Sequence, residues 1–276
     1  MKRILVPVDF SGDSMNALEH GLELANELGA NLRMIHVKKT ENFVIPYRFE
    51  GMEDRIIHTV QEYFEKLIER LGDKYQVEGG VFDFKIRQGS VFREIVNQAK
   101  YGDAFLIVMG SHGASGFEEF FIGSNAFKTV SNSTCPVLTL RHEFNRHQLK
   151  KLVMPIDASS ETRKKIPVVA EIAAACKAEV HILGVHETSD EDVVSRIKSY
   201  MEQAELYLQN EEVACVKELR KGSNNTETAI KYAQSVNADL ITIMTEQTQS
   251  SLNLFIGSYA QQMVNHSPIP VLSVPN

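Results

Sequence analysis

The chain has no CxxC pair, and its three cysteines, Cys135, Cys176 and Cys215, are odd in number and far apart. That argues against a disulfide framework or a zinc site and for buried thiols in a reducing compartment. Long apolar runs are missing too. The stretch from Ala104 to Met109 is far too short to span a bilayer. No signal-peptide core precedes the first strand-like run, Lys2 to Val8, so a cytoplasmic location with no membrane partner is expected. Basic charge is also scarce: 29 Lys and Arg stand against 36 Asp and Glu, a formal net charge of −7. Such a surface disfavours nucleic acid and anionic membranes as main partners. An anionic ligand would have to rely on backbone donors, a helix N-terminus or a metal. Finally, no Gly-Lys pair occurs anywhere, which excludes a Walker A loop.

What is present is an ordinary globular composition, 43% hydrophobic and 24% charged, in a chain of 276 residues, a length that suits two domains. An internal repeat divides it. Ile4 to Val37 aligns without a gap on Leu152 to Val185 at a shift of 148, placing Pro7 on Pro155, Asp9 on Asp157 and Val37 on Val185. Phe105 to Leu138 aligns on Asp239 to Leu272 at a shift of 134, pairing Gly123-Ser124 with Gly257-Ser258. The change of shift means that the second copy is shorter in its middle. We expect domains at 1–141 and 151–276 with a polar linker over 142–150.

Within the first copy the pattern predicts strands near 3–8, 32–37, 81–87, 104–109 and 136–140, and helices near 14–28, 52–71, 90–100 and 124–132. Leu18, Leu22, Ala25 and Leu28 make a one-faced stripe on the first helix, with Ser11 or Ser14 as its cap. Ile56, Val60, Phe64, Leu67 and Leu71 do the same for the second. Apolar strands alternating with helices imply a parallel sheet covered on both faces. With the strand order 3-2-1-4-5, the ligand crevice lies where the winding reverses, between strands one and four. Strand one ends at Pro7-Val8-Asp9 and strand four at Met109-Gly110. A glycine-rich loop follows, with Gly110, Gly113, Gly116 and Gly123, and runs into a helix opened by Ser124-Asn125. Glycines permit close backbone approach and positive φ, and a helix N-terminus favours an anion, so this crevice is a candidate polyphosphate site.

These residues resemble the universal stress protein family. The opening VPVDFS, the segment LIVMGSHG, the nine-residue spacer ASGFEEFFI followed by GS, and the closing CPVL carry the resemblance, which covers both copies. The family's ATP-binding pattern is Gly, two residues, Gly, nine residues, Gly, then Ser or Thr; Gly110, Gly113, Gly123 and Ser124 meet it. The resemblance implies two tandem Rossmann-like (adenine nucleotide alpha hydrolase-like) α/β domains, each a five-stranded parallel sheet flanked by helices. It implies ATP, with or without Mg²⁺, as ligand of the first domain, in a stress-response protein that is a nucleotide-dependent binding module. Gly110, Gly113, Gly123, Ser124 and Asn125 would contact phosphates or ribose, and His112 could reach phosphate. Pro7, Val8 and Asp9 would line the adenosine side, Asp9 near the ribose or a phosphate-bound metal. Val37 would meet adenine through its backbone, and Met109 completes the set at the end of strand four. A local role competes for Asp9: its carboxylate could simply bond nearby N–H groups.

The second copy departs from this pattern. Met244, Gln247 and Ser250 replace Gly110, Gly113 and Gly116, and only Gly257-Ser258 remains. We expect weak or no ATP binding there. Other motifs fall short. Ser11-Gly12-Asp13-Ser14 lacks the paired glycines of an ATP pyrophosphatase loop, His142-Glu143 with His147 is one residue too long for HExxH, and His181 and His186 point to opposite faces of a strand. No metal site or catalytic residue is assigned. The fifth strands, Val137 to Leu140 and Val271 to Val274, should be sheet edges; the resemblance implies pairing of the two domains through them and is compatible with a homodimer. Competing functions are a slow ATPase or another nucleotide-dependent enzyme, and a scaffold that binds no nucleotide.

Overall fold

The computed structural model describes residues 1–38, 59–112, 122–141, 144, 148–245, 247–250 and 253–276. Gly113, Gly116, Ile56, His142, Glu143 and His147 lie outside the described residues. The chain forms two compact units, Met1–His147 and Gln148–Asn276.

In the first unit the elements run β1 (Arg3–Pro7), α1 (Gly12–Leu28), β2 (Asn31–Lys38), α2 (Val60–Gly72), β3 (Phe82–Gln88), α3 (Val91–Tyr101), β4 (Leu106–Gly110), α4 (Ser124–Asn132) and β5 (Val137–Leu140). The strands are parallel in the order β3-β2-β1-β4-β5. The winding therefore reverses between β1 and β4. Strand cores such as Ile4, Leu5 and Val6 or Leu106, Ile107 and Val108 are fully buried, as a sheet covered on both faces requires.

Local signals explain the helix ends. Ser11 caps α1 by accepting the Ser14 N–H, and Gly29 closes it at φ 57°, a left-handed conformation that costs glycine little. Leu18, Leu22 and Ala25 are buried, so the predicted stripe is the packed face. The α1 backbone sits so close to the sheet that a Cβ on Gly21 would lie 2.7 Å from Val6 Cγ2. Helix α2 starts at Val60, where Thr59 and Glu62 form a reciprocal capping box; positions 52–58 of the expected helix lie outside the described residues.

The second unit repeats this order with β6 (Lys151–Ile156), α5 (Ile166–Cys176), β7 (Glu179–His186), α6 (Glu191–Asn210), β8 (Cys215–Lys221), α7 (Asn225–Ser235), β9 (Leu240–Thr245), α8 (Ser258–His266) and β12 (Val271–Pro275). Its parallel sheet has the order β8-β7-β6-β9-β12. Two features break the repeat. A 3-10 turn, Ser160–Arg163, precedes α5, where α1 is one continuous helix. Pro167 explains this. It stands at the second position of α5, where its missing N–H is harmless, whereas further inside a helix it would remove the bond to Arg163 and clash with that carbonyl. Its counterpart in α1 is Glu19. The second feature is an antiparallel hairpin, β10 (Gln247–Ser250) with β11 (Asn253–Ile256), in place of the glycine-rich loop. Without the glycines, that sequence adopts extended backbone that pairs with itself.

Candidate functional site

At the carboxyl end of β1, the chain turns sharply through Asp9, Phe10 and Ser11. Asp9 Oδ1 accepts from the Ser11 N–H at 3.1 Å and the Ser11 hydroxyl at 2.6 Å. One carboxylate oxygen thus shapes the turn, the local role weighed for Asp9 in the sequence. Phe10 has φ 66°, a strained value for a bulky residue that costs about 1–2 kcal/mol. The fully buried ring offsets that cost by packing against His36, Tyr63 and Phe64 at centroid distances of 5.0, 4.7 and 5.3 Å. His36 Nδ1 lies 2.7 Å from the Val8 carbonyl, which can only accept, so this nitrogen carries the proton. Burial pushes the His36 pKa down, and the Val8 bond opposes that shift. The β1 end is therefore pinned from the side of β2.

The register of β1 with β2 runs to Pro7 opposite Ile35, with the Val8 N–H donating to Ile35 O. Val37 lies two residues further along β2, half-buried. Its backbone flanks the crevice beyond the end of β1.

Across the crevice, β4 ends at Met109 and Gly110. Both are buried, so Met109 can offer little but backbone. Gly110 and Gly123 do not have positive φ, contrary to the reason for glycine that the sequence suggested. The requirement is spatial. A Cβ on Gly110 would lie 2.7 Å from Asp13 Cβ and 2.9 Å from the Asp13 carbonyl carbon, so the first turn of α1 takes the space that glycine leaves. A Cβ on Gly123 would come 3.2 Å from Ser111 O. The Gly123 N–H donates to that same oxygen at 2.7 Å, and the Ser111 N–H donates to Leu140 O, so both ends of the loop are fixed at the end of β4. Gly123 has no side chain to occupy the first N–H groups of α4, and the helix opens with exposed Ser124 and half-buried Asn125. His112 turns toward α1. Its N–H donates to Asp13 Oδ2 at 3.1 Å, and its Nδ1 is 3.0 Å from Ser111 Oγ and 3.6 Å from Asp13 Oδ2. Pro7, Val8, Asp9, Gly110, His112, Gly123, Ser124 and Asn125 thus gather around one crevice, with Met109 and Val37 at its edges.

Sequence reasoning missed Asp13 and Ser111. The clue to Asp13 was its place in the first turn of a helix that starts at the crevice.

The second unit keeps the turn and loses the opening. Asp157 Oδ1 accepts from the Ser159 N–H at 2.9 Å and its hydroxyl at 2.6 Å, repeating the Asp9–Ser11 pair. Met244 stands where Gly110 does and is buried. Because Gly110 has ordinary φ, Met244 carries no backbone strain there, and the difference between the copies is one of bulk.

The fold and this crevice define a Rossmann-like α/β domain of the doubly wound type, present twice, with its candidate site at the switch point. The chain belongs to the universal stress protein family, whose model matches residues 1–141 and 148–275. Universal stress protein YxiE of Bacillus subtilis is 34% identical over 145 residues, which cover 50% of this chain and 98% of that protein. Universal stress protein Slr1230 of Synechocystis is 20% identical over 294 residues and covers 99% of both chains. Among solved structures, a universal stress protein from Archaeoglobus fulgidus superposes with a TM-score of 0.70 at 18% identity, covering 99% of this chain and 98% of its own. That likeness extends the shared fold over both copies.

Proposed function

We propose that the first domain binds ATP across the β1–β4 crevice and that the chain acts in stress response as a nucleotide-dependent binding or regulatory module. One observation carries this reading: the spacing Gly110, Gly113, Gly123-Ser124 falls on a β4 end and an α4 start that Ser111 ties together. The phosphates lie against the N-terminus of α4, with Gly123, Ser124 and Asn125, where free N–H groups and the helix dipole favour an anion. The motif assigns Gly113 to close backbone approach to the phosphate chain, while Gly110 makes room for the first turn of α1 at the edge of the site. The adenosine lies toward Pro7, Val8 and Asp9, with the Val37 backbone next to adenine. A carboxylate repels phosphate, so Asp9 approaches it through Mg²⁺ or turns to the ribose. His112, held by Asp13, is near enough to the loop to meet a phosphate after a side-chain rotation. The second domain, with Met244 filling the position of Gly110, contributes no nucleotide site, and the chain binds one ATP.

Titration calorimetry with Mg-ATP, together with mass spectrometry of nucleotide carried through purification, tests this. We expect one nucleotide per chain and a loss of about tenfold or more in affinity in Gly113→Val, with the thermal transition unchanged. No binding at millimolar Mg-ATP would refute the reading. Sustained phosphate release, abolished in Asp9→Ala, would replace it with a slow ATPase.

A further inference from the structure

In the second unit a lysine points into the crevice. Lys165 is 2% exposed. It lies between the 3-10 turn and α5, and its counterpart in the first copy is the fully buried Ala17. The break that Pro167 imposes sets this residue at a helix start, from which its side chain turns inward. Lys165 Nζ donates to the Thr162 carbonyl at 2.6 Å and to Thr162 Oγ1 at 3.1 Å. Asp157 is the acid that acts on it electrostatically. Lys165, Thr162 and Asp157 line one cavity of about 20 Å³ together with Tyr259, which replaces Asn125 at the start of α8. That volume holds about one water molecule. The Tyr259 hydroxyl oxygen is buried and has no hydrogen-bond partner among the described residues. Besides Lys165, the polar side chains that line the cavity all carry oxygens: the hydroxyls of Ser159, Thr162 and Tyr259 and the carboxylates of Asp157 and Glu161. They suit a cation with N–H donors and leave one oxygen, that of Tyr259, to be reached through water.

We propose that the second crevice is a primary-ammonium site built from oxygen acceptors, and that its resident ligand is the chain's own Lys165. The ammonium meets the Thr162 carbonyl and hydroxyl directly, and it lies in the field of the half-buried Asp157 carboxylate, whose Oδ1 is held by Ser159. Removing the ammonium leaves the buried Thr162 acceptors without this donor, which is costly, whereas returning a free ion of the same shape supplies it again. This inference is independent of nucleotide binding by the first domain.

Truncation tests it on the full chain. Lys165→Ala removes the equivalent of n-propylammonium, so that ion should refill the space. Thermal unfolding of Lys165→Ala should occur below that of the parent, and added n-propylammonium should raise it saturably, by about 3–6 °C at ten times the dissociation constant. n-Propanol and tetramethylammonium at equal concentration should not do so, since one lacks the charge and the other lacks N–H donors. An unchanged transition in Lys165→Ala, or equal effects of the three additives, overturns the proposal. If Lys165→Ala does not fold, the parent chain decides. Acetylation by an activated ester, read by mass spectrometry under folding conditions, should reach Lys165 about tenfold or more slowly than exposed Lys164. Equal labelling rates overturn the proposal.

Discussion

Replacing Lys165 by methionine keeps the stem and removes the charge, so its effect isolates what burying an ammonium costs. Burial pushes the Lys165 pKa from 10.5 down to about 8, with the pull of Asp157 opposing the shift. The amine is still mostly protonated at neutral pH. The unfolded chain holds the proton up to the ordinary value, so between the two pKa values the unfolded state binds more protons and stability rises with pH. Below about pH 8 both states are charged and the full penalty stands; above about pH 10.5 both are neutral and it is gone. At 1.36 kcal/mol for each unit, the window amounts to about 3 kcal/mol. Three other titratable groups line the cavity, Asp157, Glu161 and Tyr259. The Lys164 hydrogen bond holds the Glu161 carboxyl below its ordinary value, and burial raises the Tyr259 pKa, so its phenol stays neutral. Urea unfolding of the parent and of Lys165→Met at several pH values from 7 to 10.5 gives the difference directly, with other titrations cancelling. We expect the parent to gain on the variant by about 3 kcal/mol over that range. A difference that does not change with pH would mean that the amine reaches solvent in the folded chain, and the reasoning would fail.

Two substitutions test the close contacts that shape each unit. Gly110→Ala sets a Cβ 2.7 Å from Asp13 Cβ; we expect a loss of about 1–3 kcal/mol in urea unfolding, and no loss would mean that the first turn of α1 yields freely. Gly184→Ala sets a Cβ 2.5 Å from Met201 Sδ and 2.7 Å from Leu219 Cδ1, beneath α6. It should lower stability by about 1–3 kcal/mol without touching either crevice, which calorimetry and unchanged ATP stoichiometry together would check.

The strand order and the crevice were legible because they follow from apolar strands alternating with one-faced helices, and right-handed crossovers leave few ways to arrange them. The repeat made this firmer, since one alignment without gaps fixes β1, α1 and β2 on β6, α5 and β7, and a second fixes β4, α4 and β5 on β9, α8 and β12. The reason for Gly110 was not legible. Its closeness to Asp13 depends on how α1 lies on β4, a contact across 97 residues that no local pattern encodes. The hairpin of β10 and β11 was missed because a loop was carried over from the first copy after its glycines had gone. Lys165 left a visible trace, a charge where α1 has Ala17, next to a proline where α1 has Glu19. A gapless alignment weighs such positions no more than others, so neither stands out in it.

These second-copy differences are parts of one rearrangement. In the first unit an unbroken α1 brings Asp13 against the end of β4, and only a residue without Cβ fits opposite it. In the second, Pro167 delays the start of α5 and a 3-10 turn precedes it, with Glu161 where Asp13 stood. Met244 and Glu161 then line the same cavity, so side-chain bulk at the end of β9 is tolerated where the first unit excludes it. The same break turns Lys165 inward, and its ammonium answers the Asp157 carboxylate that the shared turn still presents. Contacts this close do not contribute independently, because each substitution changes the space that the next one meets. Reverting Met244 to glycine alone would leave Pro167 in place, and with it a crevice still occupied by Lys165. What separates the two copies is the path of the first helix, and the residues at the mouth of the crevice follow from it.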